Sequence, residues 1–228
     1  MTRNAESKYL AVDGSAIIAS QAVPGVQCLV DPFAIQVWIG DKICTLHCVA
    51  FVLACSRLKY VGLSLHPLDQ ESFIHLHDKA FRYFGGVTFE CLYDHAVLTT
   101  IDEQCRKLHV SQVFKQYATT AGYRIRTFGF DSKSRCYLER EVNFISRALQ
   151  KVFDVARFAD DGAVHAYISD WLEVDANARL HDTTLRVPRE HFVTEEQSQL
   201  RPYLVPDSLL YKNLAKDTQQ VNKTDPRA

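Results

Sequence analysis

The sequence predicts an α/β fold in which a mixed, five-stranded sheet is flanked by helices and followed by a mostly helical and irregular C-terminal extension. Three observations predict it. Apolar, β-rich runs separated by short turn signals occupy residues 26–65. From Asp69 the apolar spacing lengthens to that of a helix. Short strands and helices then alternate to about residue 152, the pattern of a sheet with helices packed on its faces.

Pro24-Gly25 is turn chemistry, and Val26–Ile39 after it reads as the first strand. Proline has no N–H, so Pro32 is predicted to break or bend that strand beside Asp31. Gly40-Asp41 is a hairpin turn into a second strand, Lys42–Ala54, and Ser56-Arg57 separates it from a third, Lys59–Leu65. Such short connections predict an antiparallel meander. Phe73, Leu76, Ala80 and Phe84 then form a helical stripe that Gly85-Gly86 stops. Val87–Tyr93 is a short fourth strand ending at Asp94, and residues 95–110 carry no assignable pattern. Ser111–Ala121 reads as a helix stopped by Gly122, and Tyr123–Phe128 as the fifth strand. After a polar loop, in which Ser132 or Ser134 can cap, Arg135–Val152 is a helix with Leu138, Val142, Ile145 and Leu149 on its buried stripe. A further short helix is expected around Val164–Leu172. The expected organisation is a flexible leader over 1–20, a core over 21–153, an extension over 154–211 and a disordered tail over 212–228.

Composition narrows the function classes. The chain of 228 residues has 47% hydrophobic and 23% charged side chains, ordinary for a globular protein, and is long enough for a full core. No apolar run approaches the roughly 20 residues of a membrane helix, and the N-terminus does not resemble a signal peptide, so a cytoplasmic protein is expected. Seven cysteines, with no C-x-x-C pair, fit reduced thiols in apolar runs better than disulfides or a zinc site. A net charge of −1 argues against global coating of DNA. The distribution is uneven: residues 124–151 hold seven basic and three acidic groups, whereas residues 154–196 hold four basic and ten acidic.

The order strand-strand-strand-helix-strand-helix-strand-helix is that of the ribonuclease H-like fold. In such a sheet the first and fourth strands are neighbours and the last helix packs over them. Asp31, Asp94 and Glu139, far apart in sequence, would then converge at one edge. Converging carboxylates repel, which a bridging hard cation relieves. Two magnesium ions about 3.5–4 Å apart can serve displacement at phosphorus.

The residues around these acids resemble a known family. Ala22-Val-Pro-Gly-Val-Gln-Cys-Leu-Val-Asp31, Phe81-Arg-Tyr-Phe-Gly-Gly-Val-Thr-Phe-Glu-Cys-Leu-Tyr-Asp94 and Leu138-Glu139-Arg140 are similar to the approaches to the three catalytic acids of IstA-type transposases of bacterial insertion sequences, relatives of retroviral integrases. Trp171-Leu-Glu-Val-Asp-Ala-Asn-Ala-Arg-Leu-His181-Asp-Thr-Thr184 resembles a segment that follows the family's core. The resemblance runs collinearly from about Ala22 to Pro202. It implies a DDE-type polynucleotidyl transferase with Asp31, Asp94 and Glu139 holding two Mg²⁺ or Mn²⁺ ions. It also implies DNA as partner (transposon ends and target), a homo-oligomer on paired ends, an ATPase helper protein and no membrane.

The sequence departs from the family at four places. Pro32-Phe33 stands where the family has Phe-Gly, His95 where it has asparagine, and Cys136-Tyr137-Leu138 where it has a Gly-Lys-Val run. Lys133, Arg135 and Arg140 remain the expected DNA-phosphate contacts. The family's N-terminal helix-turn-helix region has no counterpart ahead of the core, so a truncated core is expected. Two alternatives follow from these departures: a remnant that has kept the fold without catalysis, and a non-enzymatic core that pairs with and inhibits full-length transposase. Blander readings also stand beside the sharp ones. His95 reads as a loop residue, Arg135 and Glu139 as an i,i+4 surface pair, Arg140 and Arg147 as solvated charge, and Trp38 and Trp171 as packing residues.

Overall fold

The structure is a computed structural model that describes residues 22–94, 111–127 and 132–210. Three long or apolar strands open the chain: β1 (Gln27–Ile39), β2 (Lys42–Leu53) and β3 (Lys59–Ser64). They pair antiparallel in chain order, Ile39 opposite Lys42 across the Gly40-Asp41 turn, where Gly40 takes a positive φ of 57°. Helix α1 (Gln70–Phe84) follows. Asp69 caps it by accepting from the Ser72 N–H, and Gly85 ends it at φ 74°, in the left-handed conformation that glycine adopts without a Cβ penalty.

Strand β4 (Glu90–Tyr93), helix α2 (Gln112–Ala121), strand β5 (Arg124–Thr127) and helix α3 (Ser132–Phe153) complete the alternating part. The sheet order is β3-β2-β1-β4-β5, with β4 parallel to both β1 and β5. A two-residue strand, β6 (Arg157–Phe158), adds to the far end of β1 through Trp38 and Ile39. The predicted five strands are thus all present, and the fourth lies beside the first. Helix α3 begins three residues earlier than the polar loop suggested, so Ser132 and Ser134 stand within it.

Each face of the sheet carries a core. On one face, Cys28, Val30, Phe51, Cys91 and Tyr93 pack against α1 and α2 through Phe73, Phe81, Phe114 and Tyr117. On the other, Leu29, Val37, Leu46, Val52 and Leu92 pack under α3 through Val142, Ile145, Leu149 and Phe153. Residues Val49 to Leu53 of β2 are wholly buried, which explains why that stretch reads as an unbroken apolar run rather than an alternating one. The chain after α3 joins both cores. Helix α4 (Asp161–Trp171) and the π-helical Leu172–Ala176 pack on the α3 side, while Phe192, Val205 and Leu210 pack on the α1 side. Between them the chain passes the outer edge of β3, where the Asn177 side chain accepts from the Lys59 N–H and donates to the Lys59 carbonyl, both at 2.8 Å.

Candidate active site on the β1–β4 seam

Strands β1 and β4 run parallel in a constant register, Gln27 with Glu90 through Val30 with Tyr93. Asp31 continues β1 and Asp94 directly follows the last residue of β4, so the two acids come next after the last paired residues, Val30 and Tyr93. Side chains alternate along a strand. Leu29, two residues before Asp31 on β1, belongs to the core under α3, as does Leu92 of β4, so alternation along β1 turns Asp31 toward the face covered by the helix that carries Glu139. Both acids are half-buried.

Pro32 does not break β1, contrary to expectation: the strand runs unbroken from Gln27 to Ile39, with Pro32 opposite Val49. The reason lies in the direction of its missing donor. Gln27 accepts from the Ala54 N–H on the β2 side, whereas Val26 accepts from Glu90 and Gln36 donates away from β2. Even-numbered positions of β1 therefore turn their backbone groups from β2, and proline at 32 costs that ladder nothing. It does withhold the next donor that β1 would offer to β4, so the parallel pairing stops at the acids.

Beyond that point, among the described residues, no strand pairs with this side of β1 until β6, and a side chain of α3 lies along it. Gln150 of α3 accepts from the Gln36 N–H at 3.2 Å and donates to the Gln36 carbonyl at 3.3 Å. Glu139 lies eleven residues before Gln150 on α3, which at about 3.6 residues per turn is close to three full turns. The two side chains therefore share one stripe of the helix, and that stripe overlooks the edge of β1. Glu139 is exposed, and with Arg140, Asn143, Phe144, Arg147 and Lys151 it lines an open groove. Among the described residues, Arg140, Arg147 and Lys151 have no carboxylate partner. The side chains of Lys133 and Arg135, and all of His95, lie outside the described residues.

Among the described residues no group of three or more His, Cys, Asp or Glu side chains gathers closely enough to hold a metal ion. Asp31 and Asp94 thus each follow a paired residue of neighbouring strands, while Glu139 stands on helix α3. Carboxylate oxygens are the donors that Mg²⁺ and Mn²⁺ prefer, and two acids at adjacent positions of neighbouring strands fit such an ion by donor type.

A second feature escaped the sequence reading. Glu141, two residues from Glu139, is buried and binds Lys59 Nζ at 3.2 Å and His181 Nε2 at 2.9 Å. The His181 Nδ1 accepts from the N–H groups of Thr183 and Thr184, which leaves Nε2 to donate to Glu141. Burial pushes the Glu141 carboxyl up, but the His181 hydrogen bond and the Lys59 charge outweigh it and hold the group at about 2. At Lys59 burial wins instead, and its pKa is lowered despite Glu141. The pair therefore favours the carboxylate more than the ammonium. A signal for Glu141 was available: it stands three residues after Leu138 and four before Ile145, inside the apolar stripe.

The arrangement as a whole, with β1 beside β4 and a long helix laid over their ends, is the ribonuclease H-like fold of integrase catalytic cores. The catalytic core domain of HTLV-2 integrase, solved with magnesium in dimeric form, aligns with a TM-score of 0.50 at 14% identity, over 75% of this chain and 97% of that one. A chain of the simian T-cell lymphotropic virus intasome, in complex with PP2A regulatory subunit B56 gamma, aligns with a TM-score of 0.51 at 15% identity, over 81% of this chain and 59% of that one. No family model matches the chain.

Sequence relatives narrow the class. A transposase for an IS21-like insertion sequence element of Bacteroides fragilis is 30% identical over 156 residues, 68% of this chain and 29% of that protein. A putative transposase for insertion sequence element IS5376 of Geobacillus stearothermophilus is 25% identical over 185 residues, 79% of this chain and 44% of that protein. The chain spans less than half the length of these curated relatives, and it matches an integrase-like transposase core.

Proposed function

We propose that the chain is the catalytic core of a DNA transposase of the DDE type, which cuts and joins DNA strands with divalent metal ions. The observation that carries this reading is the parallel register of β1 and β4, whose last pair, Val30 with Tyr93, stands one residue before Asp31 and Asp94. The relatives' descriptions as insertion-sequence transposases support it, as does the magnesium reported with the HTLV-2 integrase core.

In this reading Asp31 and Asp94 hold the metal ions, and Glu139 supplies the third carboxylate from α3. When bound, Mg²⁺ or Mn²⁺ supplies Lewis-acid activation of the attacking oxygen and charge stabilisation of the leaving one. The chain's own task is positioning. Arg140, Arg147 and Lys151 lie along the groove beside Glu139 and would hold DNA phosphates, with Asn143 as a neutral hydrogen-bonding neighbour. Lys133 and Arg135, earlier on the same helix, extend that basic run. Water attacks first at the transposon end, and the freed 3′-hydroxyl then attacks target DNA. The family's pattern adds assembly as a homo-oligomer on paired ends and an ATPase helper protein.

The test is titration of the full chain with Mn²⁺, followed by calorimetry and electron paramagnetic resonance. The expected result is Mn²⁺ binding that Asp94→Asn abolishes. Binding that is absent, or that Asp94→Asn leaves unchanged, overturns the metal assignment. A second reading, a core that keeps the fold without catalysis, is favoured by one observation: no three acidic side chains are gathered among the described residues. Absent Mn²⁺ binding with an intact fold supports that second reading.

A further inference from the structure

A second basic site stands at the other end of the parallel strands. Phe89 immediately precedes β4, so it is five residues from Asp94, or about 17 Å along an extended strand. The Arg124 guanidinium lies 4.5 Å from the centre of the Phe89 ring and the Arg201 guanidinium 5.1 Å from it. Two segments distant in sequence bring these cations to one ring, and both are fixed by backbone pairing. The Arg124 N–H donates to the Phe89 carbonyl at 2.9 Å, at the start of β5. Arg201 exchanges two backbone hydrogen bonds with Val87, each 2.9 Å, and its guanidinium donates to the Thr88 carbonyl at 3.0 Å.

The charge at this site is not balanced from within. Arg126, next along β5, pairs with Glu90 at 3.3 Å, and the other oxygen of Glu90 accepts from Gln27. Among the described residues neither Arg124 nor Arg201 has a carboxylate partner. Burial and the neighbouring Arg124 charge both lower the Arg201 pKa, so the two cations are held together against their repulsion. A guanidinium lying over a ring keeps its N–H donors at its edge; Arg201 gives one to Thr88, and the remaining donors of the two arginines are of the kind that grip phosphate oxygens.

We propose that Arg124, Phe89 and Arg201 form a second nucleic-acid backbone site, separate from the α3 groove, that takes DNA phosphates. The inference rests on the reading of the chain as a DNA-acting core and adds a second surface to it. Phosphate oxygens bound at the two guanidiniums offset their mutual repulsion, and the partly exposed Phe89 ring offers a sugar or base an apolar contact. Recognition here is independent of sequence, since no group at the site reads a base edge.

The test measures binding of the full chain to a labelled DNA duplex of arbitrary sequence by fluorescence anisotropy across a salt series, with metal omitted. Each phosphate contact contributes about 0.9 to the slope of log affinity against log salt. The double variant Arg124→Gln/Arg201→Gln is expected to lower that slope by about 2 and weaken binding roughly tenfold. Arg124→Lys/Arg201→Lys is expected to keep most of the slope, and the single variant Arg201→Gln about half of the loss. Both residues are exposed, and an unchanged circular dichroism spectrum and unfolding midpoint establish that the variants fold. An unchanged slope in the folded double glutamine variant overturns the site while leaving the DNA-acting core standing, provided that Arg140→Gln/Arg147→Gln weakens binding. No duplex binding by the unsubstituted chain overturns both. A double glutamine variant that loses affinity for a labelled polyglutamate peptide, and none for DNA, assigns the surface to an acidic protein partner and overturns the proposal.

Discussion

Glu139 and Glu141 are two residues apart on one helix, and their surroundings are opposite. At about 100° per residue they point to different sides of α3. Glu141 is 3% exposed and tied to Lys59 from β3 and His181 from the extension. Glu139 is exposed in a groove whose cations have no carboxylate partner among the described residues. The contrast separates two uses of a carboxylate. A buried one must be neutralised by fixed partners, and those partners set how the helix sits. A solvated one carries no such burial cost, and its carboxylate stays exposed. Breaking the buried ties is therefore expected to have the largest effect on stability. Lys59→Met leaves Glu141 buried with only half of its partners and is expected to cost about 3–5 kcal/mol, a fall of roughly 10 °C in the melting temperature of a chain this size. Lys59→Met/Glu141→Leu removes both charges and is expected to recover most of that loss. A single variant that melts with the unsubstituted chain would show that the pair does not hold the helix.

Acid titration sharpens the comparison. The Glu141 pKa is held at about 2, below the ordinary carboxylate value. Its contribution is complete above roughly 4.5 and is lost as pH falls through 2, about 3 kcal/mol in all. A second group acts in a higher window. His77 is fully buried between α1 and β4, donating to the Phe73 carbonyl and accepting from the Tyr93 hydroxyl, and burial pushes its pKa down to about 3. The folded state keeps His77 neutral, so stability falls as pH drops from about 6.5 toward 3. Denaturant unfolding followed against pH is expected to show both declines. Lys59→Met/Glu141→Leu should flatten the decline between about 4.5 and 2, and His77→Leu the decline between about 6.5 and 3. A single decline insensitive to either change would contradict both assignments.

Much of this architecture was legible in the sequence because local chemistry agreed with it. Gly85 and Gly122 mark helix ends by their left-handed geometry, and the apolar spacing of Phe73, Leu76, Ala80 and Phe84 marks a buried face. The register that sets Asp31 beside Asp94 was not legible, because parallel pairing is decided by contacts between segments about sixty residues apart. Pro32 misled for a related reason. Whether proline breaks a strand depends on which neighbour its missing N–H would have faced, and sequence does not say which side is empty. Lys59, Glu141, His181 and Asn177 were unreadable as a network because each is an ordinary polar residue until three elements meet. Glu139 was reached from the element order and from resemblance to a family, and its exposure follows from its place off the buried stripe of Val142, Ile145 and Leu149.

The smallest expected effect falls on Glu139. Substitutions of exposed side chains change folding little, so Glu139→Gln is expected to change stability by no more than about 0.5 kcal/mol, against several for Lys59→Met. The same substitution removes one negative charge from the groove of Arg140, Arg147 and Lys151. It is therefore expected to weaken Mn²⁺ binding while leaving the unfolding midpoint in place, and to strengthen metal-free DNA binding slightly through lost repulsion with phosphate. The two outcomes oppose each other in sign, which a general loss of structure does not produce. A Glu139→Gln variant that melts as early as Lys59→Met would place Glu139 among the structural ties and erase the distinction between the two glutamates. One that binds Mn²⁺ as the unsubstituted chain does would leave Asp31 and Asp94 as the metal ligands and remove α3 from the metal site.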